Sequence, residues 1–169
     1  MSEFDRIDEA NAAFASAFDK GDLEVPPARP LVVLTCIDAR VEPAAELGLA
    51  IGDAHVIRNA GGRATEDAIR SLLISSWLLG TREFVVLHHT DCGMTKFTDD
   101  VLRDMIRDQA GVEVETEFLS FPDPEQSTRD DVDVIRGTKG FPDGVTVSGA
   151  IYDVGTGRIR QVVAAAPVG

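Results

Sequence analysis

Two short stretches of the chain are apolar up to a single closing polar residue, Leu31-Val32-Val33-Leu34-Thr35 and Phe84-Val85-Val86-Leu87-His88. Runs of this length and composition are expected of strands buried on both faces of a sheet. His55-Val56-Ile57-Arg58-Asn59 reads as a further strand, ending at the turn residues Gly61 and Gly62. Between these runs the period changes to that of a helix. A short helix is expected over Pro43 to Leu47. A longer one, capped by Thr65, is expected to run to about Leu79, where Gly80 stops it. Residues 97–109 carry a helical pattern, and Ser127 is placed to cap another helix over 128–136. The segments 145–154 and 158–163, joined by a turn at Gly155 to Gly157, read as a closing hairpin.

Strands alternating with helices imply an α/β fold, a mostly parallel central β-sheet flanked by helices, with the hairpin adding an antiparallel C-terminal edge strand. Ahead of it, residues 2–18 form an amphipathic helical pattern that Ser2 can cap, with Phe4, Ile7, Phe14 and Phe18 on its apolar face. Gly21 and the prolines at 26, 27 and 30 separate it from the body, so it need not pack on its own domain. The reading is one domain over 1–169, with 1–22 an N-terminal helical arm.

Composition narrows the function classes. A chain of 169 residues, 44% hydrophobic and 27% charged, can bury a core of ordinary size. The 29 acidic and 16 basic residues leave a net charge of −13. Such a surface repels phosphate backbones and anionic lipid, which argues against nucleic-acid and membrane partners. The excess concentrates between Asp99 and Asp133 and reads as a solvated acidic surface. The acidic N-terminus lacks the basic start and apolar run of a secretory signal, and no stretch is long enough to span a bilayer, so a cytoplasmic location is the expectation.

The chain has only two cysteines, Cys36 and Cys92. In a reducing compartment, metal binding or catalysis is a better account of them than a structural disulfide. Cys36 follows the first apolar run and opens Cys36-Ile37-Asp38-Ala39-Arg40. If the chain stays extended there, Cys36, Asp38 and Arg40 share one side, with a guanidinium in reach of the carboxylate. Cys92 closes His89-Thr90-Asp91-Cys92, directly after the other apolar run. The two-residue gap lets a turn aim an imidazole and a thiolate at one point. Both elements lie at carboxyl ends of expected parallel strands, where open α/β sheets build their sites. Two thiolates and an imidazole suit zinc, and three protein ligands leave a fourth position open, the pattern of a catalytic site. Packing alone is a poorer account, because Asp38 and Arg40 are expensive as core residues.

In order, the motifs CIDAR (36–40), GDAHVIRNAG (52–61) and HTDCG (89–93) resemble the β-class carbonic anhydrases over about residues 30–98. The resemblance implies that Cys36, His89 and Cys92 ligate one Zn2+ per chain. It further implies that Asp38 and Arg40 form a catalytic dyad serving a zinc-bound hydroxide that attacks CO2 to give bicarbonate. It also implies a homodimer or tetramer whose N-terminal arms embrace neighbours. Two departures, His88 before His89 and Met94 after Gly93, resemble a compact bacterial subgroup that includes carbonyl sulfide and carbon disulfide hydrolases. Hydrolysis of those substrates is therefore the alternative activity. A non-catalytic zinc-binding or redox-sensing role is the third, disfavoured by the Asp38–Arg40 pair.

Other residues receive blander readings. His88 is expected to pack or hydrogen-bond behind the site, since strand neighbours point to opposite faces. His55 reads as a surface or interface residue. Asn59 to Gly62 lacks phosphate-loop spacing and reads as a tight turn lining the pocket. Trp77, Leu78 and Leu79 are expected in the core.

Overall fold

The computed structural model describes residues 2–169. Five strands, β1 (Leu31–Cys36), β2 (His55–Asn59), β3 (Glu83–His89), β4 (Thr146–Asp153) and β5 (Arg158–Pro167), form one sheet in the order β2-β1-β3-β4-β5. The first four are parallel and β5 runs antiparallel to β4. All six residues of β1 are buried, as its unbroken apolar run requires, whereas β2 at the edge alternates between half-buried and exposed. Val33 lies opposite Val56 on one side and Val85 on the other, which fixes the register of the sheet centre.

Side-chain alternation divides the core in two. Val32, Leu34, Phe84 and Val86 pack on Leu72 of helix α3 (Glu66–Leu78) and on Val132 and Ile135 of helix α5 (Pro124–Gly137). Leu31, Val33 and Leu87 face the other way, against Leu47 and Leu49, which follow the short helix α2 (Pro43–Glu46). Among the described residues, no helix is long and apolar enough to cross a membrane.

Several elements differ in detail from expectation. α5 starts at Pro124 with Asp123 as its cap, whose Oδ1 accepts from the amides of Glu125 and Gln126, and Ser127 is buried inside the helix. Aspartate followed by proline at the first helical position outcompetes a serine four residues on. β5 continues to Pro167 because its pairing with β4 persists to Thr146. Trp77 and Leu78 are not core: they are 62% and 75% exposed. The inner stripe of α3 is Ala68, Leu72, Ser75 and Ser76, and the helical period turns the next two residues outward. The Trp77 indole nitrogen donates to the carbonyl of Gly140. The N-terminal helix α1 (Glu3–Ser16) forms with a Ser2–Asp5 capping box, but every residue in it is exposed, including Phe4, Ile7 and Phe14.

Helix α4 (Asp99–Ala110), capped by Thr98, anchors the acidic region beside the site. Asp99 accepts hydrogen bonds from the amides of Phe118, Leu119 and Ser120 and from the Ser120 hydroxyl. Led by the Ser120 hydroxyl and helped by these amides, this lowers its pKa from 3.8 to about 2. A depressed folded-state pKa contributes stability that is present above pH 4 and lost as pH falls towards 2. Asp99→Ala is expected to cost about 1–3 kcal/mol at neutral pH, with the difference from wild type shrinking on acidification. Urea melts at a series of pH values check this, and a difference independent of pH contradicts it.

Candidate metal centre

β1 leads to β2 on one side of the sheet, and β3 lies on its other side. The gap between the carboxyl ends of β1 and β3 is therefore the topological switch point, where connections diverge and leave a crevice. Cys36 is the last residue of β1 and His89 the last of β3, so the sheet delivers both to this crevice. Cys92 follows one turn later, with Asp91 in the left-handed conformation at φ 52°.

Cys36, His89 and Cys92 are all buried, and their donor atoms lie within 4.8 Å of one another. The two sulfurs are 3.9 Å apart. A tetrahedral zinc ion with Zn–S bonds of about 2.3 Å sets its sulfurs about 3.8 Å apart, close to this spacing; a disulfide needs about 2.05 Å. His89 Nδ1 is 2.9 Å from the carbonyl of Thr90, so that nitrogen carries the proton and Nε2 presents its lone pair. Nε2 is buried and has no hydrogen-bond partner among the described residues. An imidazole lone pair orphaned beside two thiols is the donor set a thiophilic cation completes, so these residues fit a metal such as zinc.

The electrostatics agree. Cys36 is pulled well below the usual thiol range, first by the hydrogen bond from Cys92 and further by His89, against the opposing effect of burial. Cys92 is pushed up, first by the hydrogen bond that its thiol donates to Cys36 and then by burial. Burial alone would lower His89, but the closeness of the Cys36 sulfur and the negative charge on it raise it. The two sulfurs share a hydrogen bond that favours ionisation of Cys36 over Cys92, and a cation bound there would displace the shared proton.

Asp38 and Arg40 meet, though not by the expected route. The chain turns instead of staying extended: Asp38 Oδ1 accepts from the Arg40 amide at 2.9 Å, and the Asp38 carbonyl accepts from Val41 at 3.0 Å. An aspartate that bonds the backbone two residues on initiates such a turn. Within it the Arg40 guanidinium forks onto the carboxylate, Nε to Oδ1 at 3.0 Å and Nη2 to Oδ2 at 2.8 Å. That fork holds Asp38 well below the ordinary carboxylate range. Asp38 Oδ2 is also 3.8 Å from His89 Nε2. Cys36, Asp38, Gly61, Cys92, Met94 and Phe97 contribute to the lining of a small cavity of about 300 Å³ that opens onto the two sulfurs.

His88 and His89 point to opposite sides, as the strand period requires. His88 Nε2 lies 3.1 Å from the carbonyl of Gly62 and 3.2 Å from Asp131 Oδ2, and its ring stacks on Phe121. Asp131 also accepts from Arg63 Nε at 2.8 Å and from the Ala64 amide at 3.0 Å. This buried cluster ties α5 to the turn over Asn59 to Gly62, which borders the cavity as expected. Gly62 sits at φ 70°, where a Cβ would come within 2.9 Å of the Thr35 backbone, so the turn can lie against β1 only with glycine there.

Asp131, Arg63 and Arg58 escaped the sequence reading. Arg58 donates to the carbonyls of Cys36, Asp38 and Val41, and so braces the loop that carries both Cys36 and Asp38. Its place in the GDAHVIRNAG motif was the available signal; Asp131 offered none. His55 Nδ1 bonds the Ser75 hydroxyl at 2.7 Å, at a groove between β2 and α3 away from the donors.

Comparison with known proteins agrees with this geometry. The sequence model of the carbonic anhydrase family matches residues 31–116. β-Carbonic anhydrase 1 of Mycobacterium tuberculosis is 42% identical over 152 residues, 90% of this chain and 93% of that protein. A carbon disulfide hydrolase of Saccharolobus solfataricus is 35% identical, over 81% of this chain and 79% of its own. The crystal structure of a carbonic anhydrase from Streptococcus mutans superposes with a TM-score of 0.92 at 45% identity, covering 96% of this chain and 98% of that one. With three donors converging at the switch point and these relatives spanning nearly all of its length, the chain belongs to the β-carbonic anhydrase family of enzymes.

Proposed function

We propose that the protein catalyses the reversible hydration of carbon dioxide to bicarbonate, acting as one domain with Cys36, His89 and Cys92 holding one zinc ion per chain. The observation that carries the reading is the orphaned His89 Nε2 facing two thiols beside an arginine-oriented carboxylate. Bound there, zinc is a Lewis acid that brings the ionisation of a coordinated water to about pH 7. Asp38, kept ionised by Arg40, can only accept hydrogen bonds, so it takes one from the nucleophile and turns the nucleophile's free lone pair towards the cavity. Thr90 holds the His89 ring through Nδ1, and Arg58 holds the Cys36 and Asp38 backbones, so these groups need little rearrangement during reaction. The cavity beside Ile37, Met94 and Phe97 admits a small apolar molecule and disfavours the charged product, and the released proton passes to solvent or buffer.

Asp38→Asn and Arg40→Ala are expected to retain zinc and lose about 10²–10³-fold in kcat, because the amide accepts without charge and the unpaired carboxylate loses its orientation. Stopped-flow CO2 hydration with zinc analysis checks this, and a wild-type rate in either variant rejects the dyad.

Hydrolysis of carbonyl sulfide or carbon disulfide is a second reading, supported by the likeness to the carbon disulfide hydrolase of S. solfataricus. Those substrates are also linear and apolar with an electrophilic carbon, so only the cavity's shape separates them, by a modest factor. The deciding measurement is kcat/KM for CO2 and for carbonyl sulfide on one zinc-loaded preparation. CO2 is expected to be the better substrate, and more efficient sulfide release would replace this reading with the second.

A homodimer or dimer of dimers is proposed as the working form, in the cytoplasm, where reducing conditions keep Cys36 and Cys92 as thiols. Its support is the exposed Phe4, Ile7, Phe14 and Phe18 of the arm, together with exposed Val56 and Ile74 lining the groove between β2 and α3. Apolar surface on this scale marks an interface. Sedimentation at micromolar concentration is expected to give a dimer or tetramer; an active, stable monomer contradicts it.

A further inference from the structure

Arg40 stands between two carboxylates, of which the dyad uses one. Besides the fork onto Asp38, its Nη1 donates to Asp91 Oδ2 at 3.0 Å and its Nη2, shared with Asp38, also donates to the Asp91 carbonyl at 2.9 Å. Lys96 Nζ lies 2.7 Å from the other oxygen, Asp91 Oδ1. Asp91 adopts φ 52°, a left-handed conformation uncommon for a residue with a side chain, and in it both its carbonyl and its carboxylate reach the same guanidinium.

We propose that Asp91, seated by Lys96, is a positioning residue that fixes the Arg40 guanidinium and through it the Asp38 carboxylate. The physical case is one of degrees of freedom. Without a further contact, the Asp38 carboxylate is held by the Arg40 amide and by a guanidinium at the end of a long flexible side chain that is free to swing away from it. Asp91 adds a second anchor, and one of its acceptors is a main-chain oxygen that no side-chain rotation can move. Pairs as exposed as Asp91–Lys96 contribute little stability taken singly, so the anchor's effect is on geometry and not on the fold. Geometry matters here because Asp38 Oδ2 is 3.8 Å from His89 Nε2. A carboxylate released by Arg40 at that distance can move to a cation held by His89, where it would occupy the position its partner molecules need.

The proposal rests on the metal-site reading, so its test includes a readout that needs neither metal nor reaction. The solvent exchange of the Arg40 Nε–H, assigned by its disappearance in Arg40→Lys, is followed by nitrogen NMR in the full-length protein as purified. Asp91→Gly removes the carboxylate while accepting the left-handed backbone. It is expected to speed this exchange about tenfold or more, as loss of a charge-assisted anchor implies. Asp91→Asn, which keeps the carbonyl contact and a neutral acceptor, is expected to fall between, and Lys96→Met closer to wild type. In CO2 hydration, Asp91→Gly is expected to lower kcat about tenfold with KM within about twofold, the mark of an interaction that matters in the transition state. Zinc content and thermal midpoint should hold. In an Asp38→Asn background the same change should cost less than about twofold, because the two act through one carboxylate. Arg40 exchange within about twofold of wild type in Asp91→Gly overturns the proposal, as does an undiminished loss in the Asp38→Asn background. A wild type without CO2 activity overturns the function instead, and the exchange measurement still judges the anchor.

Discussion

Replacing Cys92 with serine is expected to abolish the proposed zinc binding and, with it, CO2 hydration. The side chain is 1% exposed and its sulfur lies 3.9 Å from that of Cys36, so the substituted hydroxyl would sit in the same buried place. A serine hydroxyl does not ionise near neutral pH and is a harder donor than a thiolate, so one of three protein bonds to zinc is lost outright. Changes to residues that merely orient metal ligands cost about 10–100-fold in affinity, so loss of a ligand should cost at least about 100-fold. Dialysis against a competing chelator followed by elemental analysis should find about one zinc per chain in wild type and little in Cys92→Ser. Cys36→Ser should behave alike. Chelator-treated wild type should lose CO2 hydration and regain it when zinc is returned. Full zinc retention in either serine variant sinks the ligand assignment.

Asp131→Ala is expected to destabilise the fold by about 3–5 kcal/mol, the cost of breaking a buried charge cluster by removing one member. Asp131 is 2% exposed, while the Arg63 side chain that it pairs is 14% exposed and that of His88 1%. Without the carboxylate, the guanidinium keeps its hydrogen bond to the Leu119 carbonyl and its place over the Phe121 ring but has no countercharge. The Ala64 amide loses its acceptor as well. Asp131→Asn keeps the shape and one acceptor and should cost about 1–3 kcal/mol. Urea unfolding at one fixed protein concentration measures both, since association would otherwise move the midpoints. Because the same cluster holds the turn over Gly61 and Gly62 against the cavity, the alanine variant should also lose CO2 hydration at temperatures where it remains folded. A cost below about 1 kcal/mol would mean that the turn is held by other contacts.

The elements legible in the sequence are those whose signal lies within a few residues. The apolar runs at 31–34 and 84–87 appear as the two central strands, because burial on both faces admits a polar residue only where, as at Thr35 and His88, it finds a hydrogen-bond partner. The N-terminal helix, the helix capped by Thr65 and the antiparallel closing strand form from local caps and alternation. The helix after Asp123 starts earlier than read, because a stronger cap and a proline lay just outside the segment that carried the apolar pattern. Trp77 and Leu78 were misplaced because composition records how apolar a residue is and not which way the helix turns it.

The chemistry divides along the same line. The sequence by itself determined that a thiol and an imidazole end two buried strands, with a second thiol one turn on, since strand ends and two-residue gaps are local facts, and that Asp38 lies close to Arg40. Only the tertiary structure decided how that pair meets, through a turn, and what holds it from behind. Arg40 and Asp91 are 51 positions apart in the chain and Arg63 and Asp131 are 68 apart. A single charged residue looks the same in sequence whether water or a distant partner neutralises it. Its partner is set by packing of the sheet against α3 and α5, a sum of many weak contacts with no pattern along the chain. For the same reason the apolar face of α1 is written plainly in the sequence, while its exposure in the folded chain, and so its need of a neighbour, became visible only in three dimensions.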